Sequence, residues 1–138
     1  MQGKTLTVFG DGSQTRAFSY IGDVAPHIAR SVNVKEDYNQ IFNVGADKEF
    51  TVKELAETIM KAIGIEGQLR YLPARNEVLH AHSDHSRIMK VFNTPAPVSL
   101  YDGLKKMADW ARQAGIRKSP KFENIEIVEK LPTVWLED

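Results

Sequence analysis

The chain has no cysteine among its 138 residues, which excludes a disulfide framework and any thiolate metal site. It has no net charge: eighteen Lys and Arg residues offset eighteen Asp and Glu. No net field therefore favours nucleic acid or an anionic membrane surface as a partner, and any anion site has to be local. No apolar run approaches the ~20 residues that span a bilayer. The opening Met-Gln-Gly-Lys-Thr lacks the apolar core of a signal peptide. Neither nucleic acid nor membrane is an expected partner, and the cytoplasm is the expected compartment. Internal repeats and low-complexity segments are also missing. What remains is the composition of an ordinary globular protein, 42% hydrophobic and 26% charged. Its length suits one domain over residues 1–138, with an extended tail from about residue 116.

Pattern and punctuation predict alternating strands and helices. Thr5 to Phe9 alternates in polarity and reads as a strand, Gly10-Asp11-Gly12 as a hairpin turn, and Ala17 to Ile21 as a second strand. Asp23 is placed to cap a helix with Pro26 in its first turn and Val24, Ile28 and Val32 as its apolar stripe. Gln40 to Val44 reads as a short apolar strand ending at Gly45. Thr51 and Glu54 form a capping box for a helix that buries Val52, Leu55, Ile59 and Ile63 and stops at Gly64. Gln68 to Leu72 reads as a strand. A short helix opens at Ser83 or Asp84 and runs to about Phe92. After a proline-rich loop, Ser99 caps a last helix ending at Gly115. Asn124 to Glu129 reads as one more strand. Phe9 and Phe18 read as core, Trp110 and Trp135 as packing anchors, and Arg117 and Lys118 as solvated surface. The alternation implies an α/β architecture. Yet no strong apolar run could form a central parallel sheet, as though the elements pack on a sheet supplied by another segment.

Two arginines, Arg16 and Arg75, lie in loops beside strands. Guanidinium stays charged and binds pairs of oxygens bidentately, so two converging forks suit a diphosphate. The stretch from Gly10 to Val24, with Arg16 just past the Gly-Asp-Gly turn, resembles the start of the substrate-binding part of extended short-chain dehydrogenase/reductases. The likeness is to the NAD-dependent nucleotide-sugar epimerases and dehydratases, in particular those near UDP-glucose 4-epimerase. Tyr71-Leu72-Pro73-Ala74-Arg75-Asn76-Glu77-Val78 is similar to that family's second substrate loop. Asn43-Val44-Gly45, Ser83-Asp84-His85-Ser86-Arg87 and Ser99-Leu100-x-x-Gly103-Leu104 with Trp110 follow in the family's order, and the tail from Phe122 to Trp135 also has counterparts.

The resemblance implies that Arg16 and Arg75 grip the substrate's diphosphate and that Glu77 bonds the ribose hydroxyls. Many members have Arg-Pro-Gly-Asp where this chain has the shorter Arg75-Asn76-Glu77. It implies NAD as the parent family's cofactor, with a transient hydride transfer from sugar to NAD and back. The parts that do this chemistry are missing from the sequence. No Gly-x-x-Gly-x-x-Gly turn is present. Of the tyrosines, only Tyr101 is followed four residues later by lysine, Lys105, at the start of the last helix and in the wrong order for the family's catalytic pair. The expected fold is thus an incomplete α/β unit, the C-terminal part of an extended Rossmann-type epimerase without its N-terminal NAD-binding half. It would bind no cofactor alone, have no catalytic residue and be inactive. Its expected partners are a UDP-sugar or related nucleotide sugar, an NAD-binding half and a second copy in a homo-oligomer, most simply a two-fold dimer.

Two other readings stay open on sequence. One is a non-catalytic module that binds nucleotide sugars or pairs with a separately encoded half. The other is a small metal-binding protein built on His80, His82 and His85, with Asp84 nearby; Asp84 is better explained as a helix cap, and the expected metal site is none.

Overall fold

A computed structural model describes residues 4–115 of the chain. Its strands are all short: β1 (Thr7–Phe9), β2 (Thr15–Ala17), β3 (Glu49–Thr51), β4 (Arg70–Leu72) and β5 (His80–Ala81). They alternate with helices α1 (Ile21–Ser31), α2 (Val52–Ile63), α3 (Ser86–Phe92) and α4 (Leu100–Ala114), and a 3-10 turn lies at Lys35–Asp37. The architecture is α/β. β1 and β4 form a parallel pair with Val8 opposite Tyr71. β2 sits between β3, to which it is antiparallel, and β5, to which it is parallel.

This topology corrects the hairpin reading. Gly10 and Gly12 do turn the chain, at φ +67° and +78°, but β1 and β2 enter different sheets. The second strand is Thr15–Ala17 rather than Ala17 to Ile21, because its pairing is fixed by Arg16 opposite both Phe50 and Ala81. Gln40 to Val44 forms no strand. Its carbonyls have no sheet partner among the described residues, and Arg87 takes their place: Nη1 donates to the Ile41 carbonyl at 3.2 Å and Nη2 bonds the Gln40 side chain.

Two helices follow their sequence signals closely. At α2, Glu54 N–H donates to Thr51 Oγ1 at 3.0 Å while Thr51 N–H donates back to Glu54 Oε2 at 2.7 Å. These bonds satisfy N–H groups that the helix start leaves unpaired. Gly64 ends the helix at φ +73°. At α4, Ser99 Oγ accepts from Asp102 N–H at 3.1 Å. α2 packs against α4, and Ala56 on the one and Ala108 on the other are buried. α3 begins at Ser86, later than expected. The Asp84 carboxylate still serves its start, accepting from Ser86 N–H at 2.8 Å, and His85 is the residue in the capping position.

α1 departs most from expectation. It starts at Ile21, so Pro26 falls beyond the first turn, and its cap residue is Tyr20. Asp23 is not the cap. It sits inside the helix, and Oδ2 accepts from Val98 N–H at 2.8 Å, tying α1 to the loop before α4. The helix also turns its polar side inward. His27 is only 8% exposed and meets Phe92 edge-on with ring centroids 5.6 Å apart. Its Nδ1 has no hydrogen-bond partner among the described residues. Of the expected apolar stripe Val24 is half-buried, but Ile28 is 62% exposed and Val32 69%, and nearby in sequence Ile41 is 85% exposed. Trp110 on α4 is also exposed, so it is no packing anchor within the described residues. The described core is correspondingly small, built on Val8, Ala56, Ile88, Phe92 and Ala108. The expected strand at Asn124 to Glu129, Trp135, Arg117 and Lys118, and the tail from about 116, lie outside the described residues.

Candidate anion site at the ends of β1 and β4

The parallel pairing of β1 with β4 places the turn after β1 beside the loop after β4. Gly10 N–H donates to the Leu72 carbonyl at 2.9 Å, and a Cβ on Gly10 would lie 3.5 Å from that of Ala74. Asp11 tightens the turn by accepting from Ser13 N–H at 2.9 Å. Bonds from the Ser13 side chain and then its backbone hold the Asp11 carboxyl below the usual aspartate range. Gly12 has no room for a side chain, since a Cβ would come within 3.0 Å of Val8 and Lys53. Past the turn, Thr15 N–H donates to the Leu79 carbonyl at 2.7 Å. That bond clamps β2 to the far end of the 73–79 loop.

These constraints gather the residues singled out in the sequence. Arg16 Nη2 donates to Glu77 Oε2 at 3.0 Å, an ion pair whose side chains are 28% and 35% exposed. Arg16 Nη1 donates to the carbonyls of Thr15 at 2.7 Å and Leu79 at 3.3 Å. The second oxygen of Glu77 accepts from Gln14 Nε2 at 3.3 Å, and that same nitrogen donates to the Phe9 carbonyl at 2.9 Å. Arg75 lays its guanidinium over the Phe9 ring, 3.3 Å from the centroid. Phe9, expected in the core, is therefore the platform for a cation. Gln14, 7% exposed, joins the Arg16–Glu77 pair to the backbone of Phe9, the residue on whose ring Arg75 lies. Nothing in the sequence singled out Gln14, because a lone glutamine in a loop carries no periodicity or motif.

The histidines separate into two groups. His80 Nδ1 bonds Thr15 Oγ1 at 2.9 Å and His82 Nδ1 bonds Glu49 Oε1 at 3.0 Å, both beside the β3–β2–β5 sheet. His85 is buried elsewhere, bonded through Nδ1 to Asp47 Oδ1 at 2.6 Å and through Nε2 to Ser83 Oγ at 3.1 Å. Among the described residues no group of His, Asp or Glu side chains is arranged to hold a metal ion. Two clefts of about 330 and 290 Å³ flank the 18–20 segment, one against α1, α3 and residues 94–98, the other against α2 and α4; neither includes Arg16 or Arg75.

The Gly10–Gly12 turn leads into strand β2, not into the N-terminus of a helix, so it lacks the row of free N–H groups that receives a pyrophosphate in such folds. Among the described residues no helix is long and apolar enough to cross a membrane.

No family model matches the chain. Individual proteins do. A protein of Methanocaldococcus jannaschii described as a putative UDP-glucose 4-epimerase is 34% identical over 113 residues, which are 81% of this chain and 36% of that protein. The UDP-glucose 4-epimerase of Thermotoga maritima, solved with UDP-glucose, superposes with a TM-score of 0.70 at 25% identity over 82% of this chain and 36% of its own. The UDP-glucuronic acid 4-epimerase of Bacillus cereus, solved with UDP-glucuronic acid and NAD, gives a TM-score of 0.72 at 27% identity, with 81% and 36% covered. The chain thus spans little more than a third of the length of the proteins it matches. Sequence and fold agree that it belongs to the extended short-chain dehydrogenase/reductases, in the NAD-dependent nucleotide-sugar epimerase and dehydratase family, and corresponds to their C-terminal portion.

Proposed function

We propose that the chain is the nucleotide-sugar-binding portion of a UDP-glucose 4-epimerase-like enzyme, with Arg16 and Arg75 on the substrate's diphosphate and Glu77 on its ribose. The observation that carries this reading is the chain of contacts between two segments about sixty residues apart in sequence: Arg16 on Glu77, Glu77 on Gln14, Gln14 on the Phe9 carbonyl, and Arg75 over the Phe9 ring. A diphosphate spreads its charge over several oxygens, and two guanidinium groups held by different segments match that spread better than one. Stacking on Phe9 fixes the Arg75 plane and leaves less rotamer freedom to be lost on binding.

The parent reaction, an NAD-mediated oxidation and re-reduction of the sugar, needs groups that this chain does not contribute. We place them on a dinucleotide-binding portion that docks against the outward apolar stripe of α1 and the unpaired 40–44 segment. Ile28, Val32 and Ile41 are exposed there, and the match spans only 36% of the length of those proteins. Alone, the chain covers this face with a second copy, as uncovered apolar surface and strand edges favour. A cytoplasmic location fits such a metabolic role. The alternative, a stand-alone sensor of nucleotide sugars, shares the anion site but needs no partner on α1.

Calorimetry with UDP, UDP-glucose and NAD tests the reading. UDP and UDP-glucose should bind with similar affinity, NAD should not bind, and UDP-glucose should not be turned over. Absence of UDP binding at millimolar concentration removes the proposed function; turnover by the pure chain removes the assignment of the chemistry to another portion.

A further inference from the structure

The Arg16 guanidinium that a diphosphate would use already holds an internal carboxylate. A guanidinium offers two bidentate edges, end-on through Nη1 and Nη2 and side-on through Nε and Nη2. Both include Nη2, the atom that holds Glu77 Oε2 at 3.0 Å. Nη1 is already directed at the Thr15 and Leu79 carbonyls. The carbonyls on Nη1 close the end-on edge, and on the side-on edge an oxyanion has to share Nη2, and the guanidinium charge, with Glu77. Glu77 is free to leave: it lies in the 73–79 stretch, which has no helix or strand, and is about a third exposed. Its departure leaves Gln14 Nε2 on the Phe9 carbonyl, so the frame of the site survives.

We infer that Glu77 is a built-in competitor for Arg16, displaced when a diphosphate arrives and re-used on the ligand only if that ligand carries neighbouring hydroxyls. The inference rests on the diphosphate site proposed above and deepens it. The carboxylate sets a threshold: a bare phosphate or pyrophosphate must break the ion pair without compensation, whereas a nucleoside diphosphate gives the displaced carboxylate hydroxyl donors to accept from. A site with two arginines would otherwise take any polyphosphate. The Arg16–Glu77 pair converts a charge-selective site into one selective for a diphosphate attached to a sugar ring. This is discrimination by a penalty on the wrong ligand, rather than by a stronger contact to the right one.

The experiment is calorimetry with inorganic pyrophosphate and with UDP on the wild-type chain, on Glu77→Gln and on Glu77→Gln in an Arg16→Ala background. Circular dichroism first confirms that each variant is folded. Glu77→Gln should bind pyrophosphate about three- to fivefold tighter, the scale of a half-exposed ion pair. UDP should gain less or nothing, so that the preference for UDP over pyrophosphate falls by at least threefold. The pyrophosphate gain should vanish in the Arg16→Ala background, as the coupling of the two residues requires. Weaker pyrophosphate binding by Glu77→Gln would mean that Glu77 orients Arg16 rather than competing for it, and overturns the inference. So does an equal gain for both ligands, which is the signature of one negative charge removed and nothing more. If the wild type and Glu77→Gln bind neither ligand, the diphosphate reading itself fails and this inference falls with it.

Discussion

Replacing Ile28 and Phe92 separately by alanine distinguishes the helix as its sequence reads from the helix as it folds. Periodicity puts Ile28 in the buried stripe of α1. The structure leaves it 62% exposed, while Phe92 at the end of α3 is 3% exposed. Full burial of an isoleucine side chain is worth about 1.5–3 kcal/mol, so the covered part of Ile28 contributes roughly 1 kcal/mol or less. Phe92 packs edge-on to both His27 and Phe42, with centroids 5.6 and 5.9 Å away. Its removal opens a cavity in a small core and costs about 3–5 kcal/mol. Urea unfolding followed by far-ultraviolet circular dichroism, at a protein concentration low enough to keep the chain monomeric, measures both. At an m-value of about 1.5 kcal/mol per molar, Phe92→Ala should lower the midpoint by about 2 M or more and Ile28→Ala by well under 1 M. If two copies associate through this face, raising the concentration should stabilise the wild type and light scattering should report a dimer, and Ile28→Asp should abolish both. A cost for Ile28→Ala above 2 kcal/mol in the dilute monomer would mean that the chain buries the α1 stripe by itself, and the docking argument would lose its basis.

Two predictions concern local structure. Thr51→Ala removes one half of the α2 capping box and should cost about 1 kcal/mol in the same unfolding assay. The bond from Thr51 N–H, followed by that from its hydroxyl, holds the Glu54 carboxyl below the usual glutamate range; its contribution is therefore complete above that range and is lost as pH falls through the lowered folded value, and Thr51→Ala, which removes only the hydroxyl bond, should flatten the acid side of the stability profile in part. Gly12→Ala combines a left-handed backbone, φ +78°, with a Cβ 3.0 Å from Val8 and Lys53. It should destabilise by about 2 kcal/mol, and equal stability to wild type would show that the turn relaxes.

The elements whose signals are local were legible in the sequence. Thr51 and Glu54 lie one helical turn apart and satisfy each other's backbone, and Ser99 does the same for Asp102, whatever the rest of the molecule does. Gln40 to Val44 was misread because a strand exists only with a neighbour, and pattern alone cannot say that the neighbour is absent. The α1 periodicity marks an apolar stripe of which Val24 is half-buried while Ile28 and Val32 are exposed, since periodicity gives a face and not what covers it. Arg16, Arg75 and Glu77 were found through resemblance to a family. The Gln14 bond to Glu77, the Phe9 platform under Arg75 and the Asp47–His85–Ser83 chain join residues distant in sequence, and no short-range pattern marks them.

The central claim is that a nucleotide diphosphate binds at Gln14, Arg16, Arg75 and Glu77. Titrating UDP into isotopically labelled chain and following backbone and arginine side-chain resonances locates the ligand directly. The account predicts that the largest shifts fall on residues 9–16 and 73–79 and on the Arg16 and Arg75 guanidinium signals, and that Arg75→Ala weakens binding more than tenfold, the scale of a lost charge-assisted bond. Shifts confined to the clefts beside residues 18–20, or to the α1 face, with the two arginines unmoved, would contradict it.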